Sequence, residues 1–211
     1  AKEAVSAADI VVIAVKPQHV GELAKAIMPS LKADTLVLSM AAGVSMRHLH
    51  EMFPEHEVFR AMPNLASAVG KGITALVGDA PESLVAMLQV FGEVVPLAES
   101  QMHVFTAAAG SGPGFICRLL DEAVRGVVSS MPELRAEALE QWLLTMIEGT
   151  VCVLREQGMS LKALEESVAA PNGTTLSGLN AGQGDVFDLT KAIVAAAKRS
   201  EAIAEEIEPI L

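Results

Sequence analysis

The chain has 211 residues, of which 51% are hydrophobic and only 3% aromatic, and its formal net charge is −11. This negative charge disfavours nucleic acid and anionic membrane surfaces as partners, because both would repel it. No segment resembles a signal peptide or a membrane span, so the sequence predicts a cytoplasmic protein of one large or two small domains.

The first 98 residues alternate between strand and helix patterns. Short apolar runs that end in turn residues predict strands, and apolar residues spaced three and four apart predict helices. The strands are predicted at 9–15, 35–39, 57–61, 72–77 and 93–97, and the helices at 18–31, 45–53 and 83–91. This alternation predicts an α/β fold with a doubly wound, Rossmann-type sheet.

After residue 98 only helical patterns remain. They predict helices at roughly 100–109, 113–131, 133–157, 160–169 and 185–208. Residues 142–154 are apolar nearly all round, and residues 189–210 carry a heptad-like apolar seam. A helical half of this size cannot bury so much apolar surface alone. We therefore interpret residues 1–98 as a partial dinucleotide-binding domain and 99–211 as a helical dimerisation and substrate-binding domain.

Cysteine and histidine give no sign of a metal site. Cys117 and Cys152 have no metal-ligand spacing, and we expect both to be small core residues in a reducing compartment. The five histidines show no ligand pattern, and His48 and His50 are expected on the surface.

Small residues and proline follow three of the predicted strands. The motifs are Val15-Lys16-Pro17, Ala41-Ala42-Gly43 and Met62-Pro63-Asn64. Ligands of open α/β sheets bind beyond the carboxyl ends of the strands, and small residues allow a flat ligand to approach the backbone. Any one motif alone is adequately explained as a turn, but the three together predict a dinucleotide crevice.

The sequence contains no Gly-rich dinucleotide fingerprint ahead of these strands. Only eight residues precede the predicted first strand, and none of them is Gly. We therefore expect the chain to be the larger, rear part of a nicotinamide-dependent enzyme, with the Gly-rich loop outside the given sequence.

The loop Ala170-Pro-Asn-Gly-Thr-Thr175 combines a turn signal with a helix start. Thr174 or Thr175 can cap a helix beginning near Leu176, and free N–H groups at a helix start suit a substrate carboxylate. A Thr-capped turn that binds no ligand is the alternative interpretation. Gly110-Ser-Gly-Pro-Gly114 follows a helix and is interpreted as a helix break.

These motifs together resemble the pyrroline-5-carboxylate reductase family. The resemblance spans essentially the whole chain and rests on five motifs that occur in the family's order: Ala14-Val15-Lys16-Pro17-Gln18, Met62-Pro63-Asn64, Gly110-Ser-Gly-Pro113, Pro171-Asn-Gly-Thr-Thr175 and Ala196-Ala-Lys-Arg-Ser200.

The resemblance implies reduction of the cyclic imine 1-pyrroline-5-carboxylate to L-proline with NADPH or NADH, by a homodimer or a multiple of dimers. Carried over by position, it implies that Val15, Lys16, Pro17 and Ala42 line the cofactor. Asn64 would lie by the nicotinamide and the substrate. Gly173, Thr174 and Thr175 would hold the substrate, with the Thr175 hydroxyl at the ring nitrogen as the catalytic group.

Several positions depart from the family's pattern. Leu65 and Ala66 replace a usual Thr-Pro, Ala170 replaces a usual Ser, and Asn172 replaces a usual Gly. Two alternatives therefore stay open. One is a related NAD(P)-dependent reductase of another imine or carbonyl, and the other is a catalytically silent dimeric binding protein.

Overall fold

A computed structural model describes residues 2–171, 174–175, 179, 201–202, 205–206 and 208–210. The described residues form two compact units. The first unit contains the described residues of 1–113 and 190–211, and the second unit contains the described residues of 114–189. The boundary predicted at residue 98 coincides with the start of a short helical segment, and the compact units divide later, after Pro113.

The first unit is built on a five-stranded sheet whose strands lie in chain order. They are β1 (Ile10–Ile13), β2 (Leu36–Ser39), β3 (Val58–Pro63), β4 (Gly72–Val77) and β5 (Gly92–Pro96). All neighbours pair in parallel except β3 and β4, which are antiparallel. A parallel crossover needs about a dozen residues. The segment between β3 and β4 is shorter than that and holds only the 3₁₀ turn Leu65–Val69, so the chain reverses there.

Helices cover both faces of this sheet, which confirms the predicted α/β class. They are α1 (Lys2–Val5), α2 (Val20–Ile27), α3 (Met46–Met52) and α4 (Glu82–Gln89). Alternate strand residues point to opposite faces. On one face Val37 packs with residues of α1, α2 and α3, and on the other Leu38 packs with α4.

Residues 99–110 follow β5 as three short helical turns, where the sequence predicted one helix over 100–109. These are the 3₁₀ turn Glu99–Gln101, helix α5 (Met102–Phe105) and the π-helical turn Thr106–Gly110. Met102 and Ala107 are buried against this unit. Ala107, Ala108 and Ala109 favour an ordinary α-helix, so the sequence did not reveal the π turn.

Helices α6 (Gly112–Ser130), α7 (Ala136–Gln157) and α8 (Leu161–Val168) follow. None of their residues is fully buried in the single chain. Cys117 and Cys152 are exposed, so they are not core residues of the isolated chain as we had expected. Most of the predicted helix 185–208, with its seam, lies outside the described residues. No described helix is long and apolar enough to cross a membrane.

Candidate functional site

Three adjacent strand ends meet at one edge of the sheet. Ile13 pairs with Ser39, and Ser39 pairs with Arg60, so β1, β2 and β3 are aligned side by side in parallel. Lys16 follows Ile13 by three residues, Ala42 follows Ser39 by three, and Asn64 follows Arg60 by four. The fold thus brings the three motifs to one edge, where the carboxyl ends of parallel strands form ligand crevices.

The segment after β1 presents both backbone and side chains to solvent. Val15 is 36% exposed, and Lys16 is exposed as well. Pro17 starts the 3₁₀ turn Pro17–His19, because its fixed φ suits a first helical position. The Met40 amide donates to the Ile13 carbonyl at 2.9 Å, which continues the pairing of β1 and β2 to the edge.

The segment after β2 is a turn of small residues. Gly43 has a φ of 78°, a left-handed conformation that favours glycine. The Ala41 amide donates to Ser39 Oγ at 3.3 Å, and the Ser45 hydroxyl accepts from the His48 amide and caps α3. Ala42 is half-buried between these anchors, while Ala41 and Gly43 on either side of it are buried.

Asn64 follows β3, and its side-chain amide is committed to the protein's own backbone. Nδ2 donates to the Ala109 carbonyl at 3.2 Å, and Oδ1 accepts from the Ile73 amide at 3.2 Å. The residue therefore braces the edge of the crevice, a role that the sequence did not predict.

An apolar groove borders this edge on the α4 side. Its volume is about 440 Å³, within the range of small-molecule sites. It is lined by residues that include Val12, Leu38, Met40, Pro63 and Phe91.

A partly buried ion pair joins β3 to the segment after β5. Arg60 is 3% exposed, and its Nη1 donates to Glu99 Oε1 at 2.6 Å. The Met46 amide donates to the same oxygen at 3.3 Å. Sequence reasoning missed this cluster, although the signal was available. An arginine inside the apolar strand β3 requires a partner, because burial of a lone charge is costly.

His48 is 9% exposed, so the prediction of a surface histidine is wrong. Its Nδ1 lies 2.9 Å from Ser45 Oγ, which fixes the ring against the helix cap. The neighbouring Arg47 forms an ion pair with Glu208, and this hydrogen bond raises the pKa of Arg47. In the part of the chain that the structure describes, no His, Cys, Asp and Glu side chains cluster as metal ligands would.

The predicted substrate residues belong to the other unit. Thr174 and Thr175 are both helical, with Thr174 exposed and Thr175 half-buried. A helix N-cap has non-helical backbone angles, so neither residue caps a helix that begins near Leu176. Gly173 lies outside the described residues. Their roles at the substrate stay predictions.

Two family descriptions match the chain. Residues 99–203 match "pyrroline-5-carboxylate reductase dimerisation", and residues 1–43 match "NADP oxidoreductase coenzyme F420-dependent". The first match confirms the prediction of a helical dimerisation domain in the rear half.

Individual relatives span nearly the whole chain. Pyrroline-5-carboxylate reductase 1 of Bacillus subtilis is 32% identical over an alignment of 213 positions, and the match covers 95% of this chain and 70% of that protein. The chain belongs to the pyrroline-5-carboxylate reductase family. Relatives from Synechocystis and Arabidopsis thaliana are 29% and 30% identical over 97% of this chain, and the matches cover 79% and 76% of those proteins.

Solved structures show the same fold. The pyrroline carboxylate reductase of Plasmodium falciparum, crystallised with NADP bound, matches with a TM-score of 0.84 at 24% identity, covering 96% of this chain and 80% of that chain. The Coxiella burnetii pyrroline-5-carboxylate reductase matches with a TM-score of 0.83 at 24% identity, covering 98% and 78%. These likenesses support a Rossmann-type sheet that is followed along the chain by a helical domain.

Proposed function

We propose that the protein reduces 1-pyrroline-5-carboxylate to L-proline with NADPH or NADH. One observation carries the proposal. Relatives named for this reaction are about one-third identical across nearly all of the chain. The reaction adds a hydride to the imine carbon and leaves a proton on the ring nitrogen.

The strand-edge crevice fits a nicotinamide cofactor. Val15, Lys16 and Pro17 would form one wall and the half-buried Ala42 a second, beside the left-handed turn at Gly43. The exposed ammonium of Lys16 suits an anionic group of the cofactor. When bound, the cofactor supplies the hydride. The chain's own residues would bind and orient its ring.

Asn64 would set the third wall. Its amide is held by the Ala109 carbonyl and the Ile73 amide, so it presents a rigid edge to the nicotinamide and the substrate. Positioning is the main requirement of this reaction, because a protonated imine is already electrophilic. The proposed site residues accordingly include no His or carboxylate.

The substrate would be held by Gly173, Thr174 and Thr175. Backbone N–H groups near the start of a helix suit the carboxylate of the substrate. The Thr175 hydroxyl would donate a hydrogen bond to the ring nitrogen as hydride transfer returns a lone pair to that nitrogen.

We further propose that the working form is a homodimer or a multiple of dimers in the cytoplasm. The family match to a dimerisation domain supports this assembly, as do the helices α6, α7 and α8, none of whose residues is fully buried in the single chain.

A steady-state assay of purified protein tests the proposal. Oxidation of NADPH that depends on 1-pyrroline-5-carboxylate, with proline as the product, is the expected result. Turnover of a different imine or carbonyl alone would favour the related reductase instead. Leu65 gives that alternative some support, because it is 78% exposed directly after Asn64. Binding of NADPH with no turnover of any imine would favour the silent protein.

A further inference from the structure

Glu99 connects two segments that border the crevice. It is the first residue of the 3₁₀ turn after β5. Its Oε1 accepts from Arg60 Nη1 at 2.6 Å and from the Met46 amide at 3.3 Å. A single carboxylate oxygen therefore joins strand β3 to the beginning of helix α3.

The bond to Met46 acts on the turn after β2. Met46 is the first residue of α3, and the first amides of a helix have no partner within the helix. Ser45 Oγ accepts from the His48 amide at 3.3 Å, and Glu99 accepts from the Met46 amide. This helix start follows Ala42 and Gly43 almost directly, so holding it also fixes the small-residue turn.

The bond to Arg60 acts on β3. Arg60 lies in the middle of the sheet, paired with Ser39 on one side and Val77 on the other, four residues before Asn64. Its charge is buried, and Glu99 supplies the counter-charge. Glu99 Oε2 is buried too, with no hydrogen-bond partner among the described residues. Displacement of Glu99 is therefore costly, since it would leave the buried charge of Arg60 unpaired.

We propose that Glu99 is a positioning residue for the cofactor crevice. Its carboxylate sets the separation between the turn at Ala42 and the strand that ends before Asn64. The inference rests on the proposed function only in naming the cofactor as the ligand of the crevice. A change at Glu99 thus alters the shape of a site that Glu99 itself does not line.

The test variant is Glu99→Asp, which keeps the charge but is one methylene shorter, so that it cannot reach both partners. Two matched controls accompany it. Asp9→Glu alters the carboxylate length in the Lys32–Asp9 pair, whose N–O distance is also 2.6 Å, at the opposite end of the sheet. Leu84→Val trims a fully buried side chain of α4 and destabilises the unit without touching the crevice.

Two measurements are made on each protein: the Kd for NADPH by fluorescence titration, and hydrogen–deuterium exchange of the peptide 44–50. Glu99→Asp is expected to raise the Kd for NADPH about three- to tenfold, because part of one charged hydrogen bond is lost. It should also speed hydrogen–deuterium exchange of the peptide 44–50. Both controls should keep the Kd within about twofold of the wild-type value. Unchanged NADPH affinity or unchanged exchange in Glu99→Asp would overturn the inference.

If Glu99→Asp does not fold, the double variant Arg60→Met/Glu99→Gln replaces it. This variant leaves no buried charge and keeps an acceptor for Met46, but it loses the tie to β3. It should raise the Kd in the same way, and a wild-type Kd would overturn the inference. A wild-type protein that binds no NADPH would contradict the proposed function instead, and the exchange data alone would then decide whether Glu99 holds the turn.

Discussion

Asn64 Nδ2 donates to the carbonyl oxygen of Ala109 at 3.2 Å, which joins the end of β3 to the π-helical turn Thr106–Gly110. In a π turn the backbone hydrogen bonds shift by one residue relative to an α-helix, and some carbonyls need partners from elsewhere. The same side chain accepts from the Ile73 amide at the start of β4. One amide thus fixes three chain segments beside the crevice.

Asn64→Asp is therefore expected to be more damaging than its small change in shape suggests. An aspartate still accepts from the Ile73 amide, but it places a carboxylate oxygen against the Ala109 carbonyl, where a donor is required. We expect a loss of about 1–3 kcal/mol in the free energy of unfolding, measured by urea denaturation. Asn64→Ala, which removes both bonds without introducing a charge, is the control. An aspartate variant as stable as the wild type would contradict the role of the Ala109 bond.

Gly92 is expected to be irreplaceable for a steric reason. Its φ is +134°, and a Cβ there would lie 2.0 Å from the Gly72 carbonyl oxygen on the neighbouring strand. Gly92→Ala should destabilise the protein by about 3 kcal/mol or more, since it combines backbone strain with a clash. Gly70→Ala is the matched control. Its φ is +68°, but the nearest atom is 3.9 Å from the added Cβ, so it should cost only about 1–2 kcal/mol. If thermal or urea denaturation showed that both variants lose the same free energy of unfolding, the clash would be excluded as the cause.

The sequence predicted the individual strands and helices better than the pairing and contacts between them. The pattern at 72–77 predicted β4 with the observed ends, because hydrophobic periodicity reports local burial. Whether β3 and β4 pair in parallel depends on the connection between them, which the alternation of elements did not take into account. The ion pair of Arg60 and Glu99 joins residues 39 apart, and the local pattern shows that Arg60 needs a partner but not which residue supplies it. His48 was misplaced for the same reason, because neighbouring segments bury only one side of helix 46–52, which carries His48 and Leu49.

Acid should weaken the ion pair between Lys32 and Asp9, which lies at the amino end of β1. The hydrogen bond from Lys32 lowers the pKa of Asp9 below 3.8, its ordinary value. A carboxylate with a lowered pKa stabilises the fold at pH values above its unfolded pKa, and the effect is lost as pH falls through the folded value. Lys32, whose pKa is raised above 10.5, loses its contribution only at strongly alkaline pH.

Asp9→Asn should therefore differ from the wild type in stability near neutral pH and converge with it in acid. Urea unfolding across a pH series measures the difference, which should also shrink at high salt because both groups are exposed. If the difference in unfolding free energy between the two proteins did not change with pH, the Lys32–Asp9 ion pair would not be its source.

The apolar faces of α6 and α7 should be covered by a second copy of the chain. Trp142 is 60% exposed and Met146 52% exposed in the single chain, in a region that matches a dimerisation domain. Trp142→Glu should weaken dimerisation by about 2 kcal/mol or more, as for a buried aromatic interface residue, and light scattering at micromolar concentration should then detect monomer. Val90→Glu, at a 74% exposed site in the other unit, should stay dimeric. A wild-type protein that is already a stable monomer would contradict this assembly.

The Thr175 hydroxyl is expected to contribute to the rate of reduction rather than to cofactor binding. Thr175 is half-buried and helical, in the unit that does not contain the strand-edge crevice. Thr175→Ala removes the hydroxyl but keeps the backbone donors, so binding of the substrate carboxylate should largely survive. Losing a hydrogen bond to a charged group is worth roughly 1.5–3 kcal/mol, or about ten- to a hundredfold in rate. If the bond strengthens as hydride arrives, the loss appears in kcat more than in KM.

Thr175→Ser is the matched control, because it keeps a hydroxyl while losing only a methyl group. Its kcat should stay within about threefold of the wild-type value, since the donor survives and only packing changes. The Kd for NADPH should be the same for all three proteins, which separates this effect from damage to the crevice. Turnover of 1-pyrroline-5-carboxylate by Thr175→Ala at the wild-type rate would remove the hydroxyl from the mechanism. An equal loss in the alanine and serine variants would instead assign the effect to packing around the methyl group, because only the methyl is missing from both.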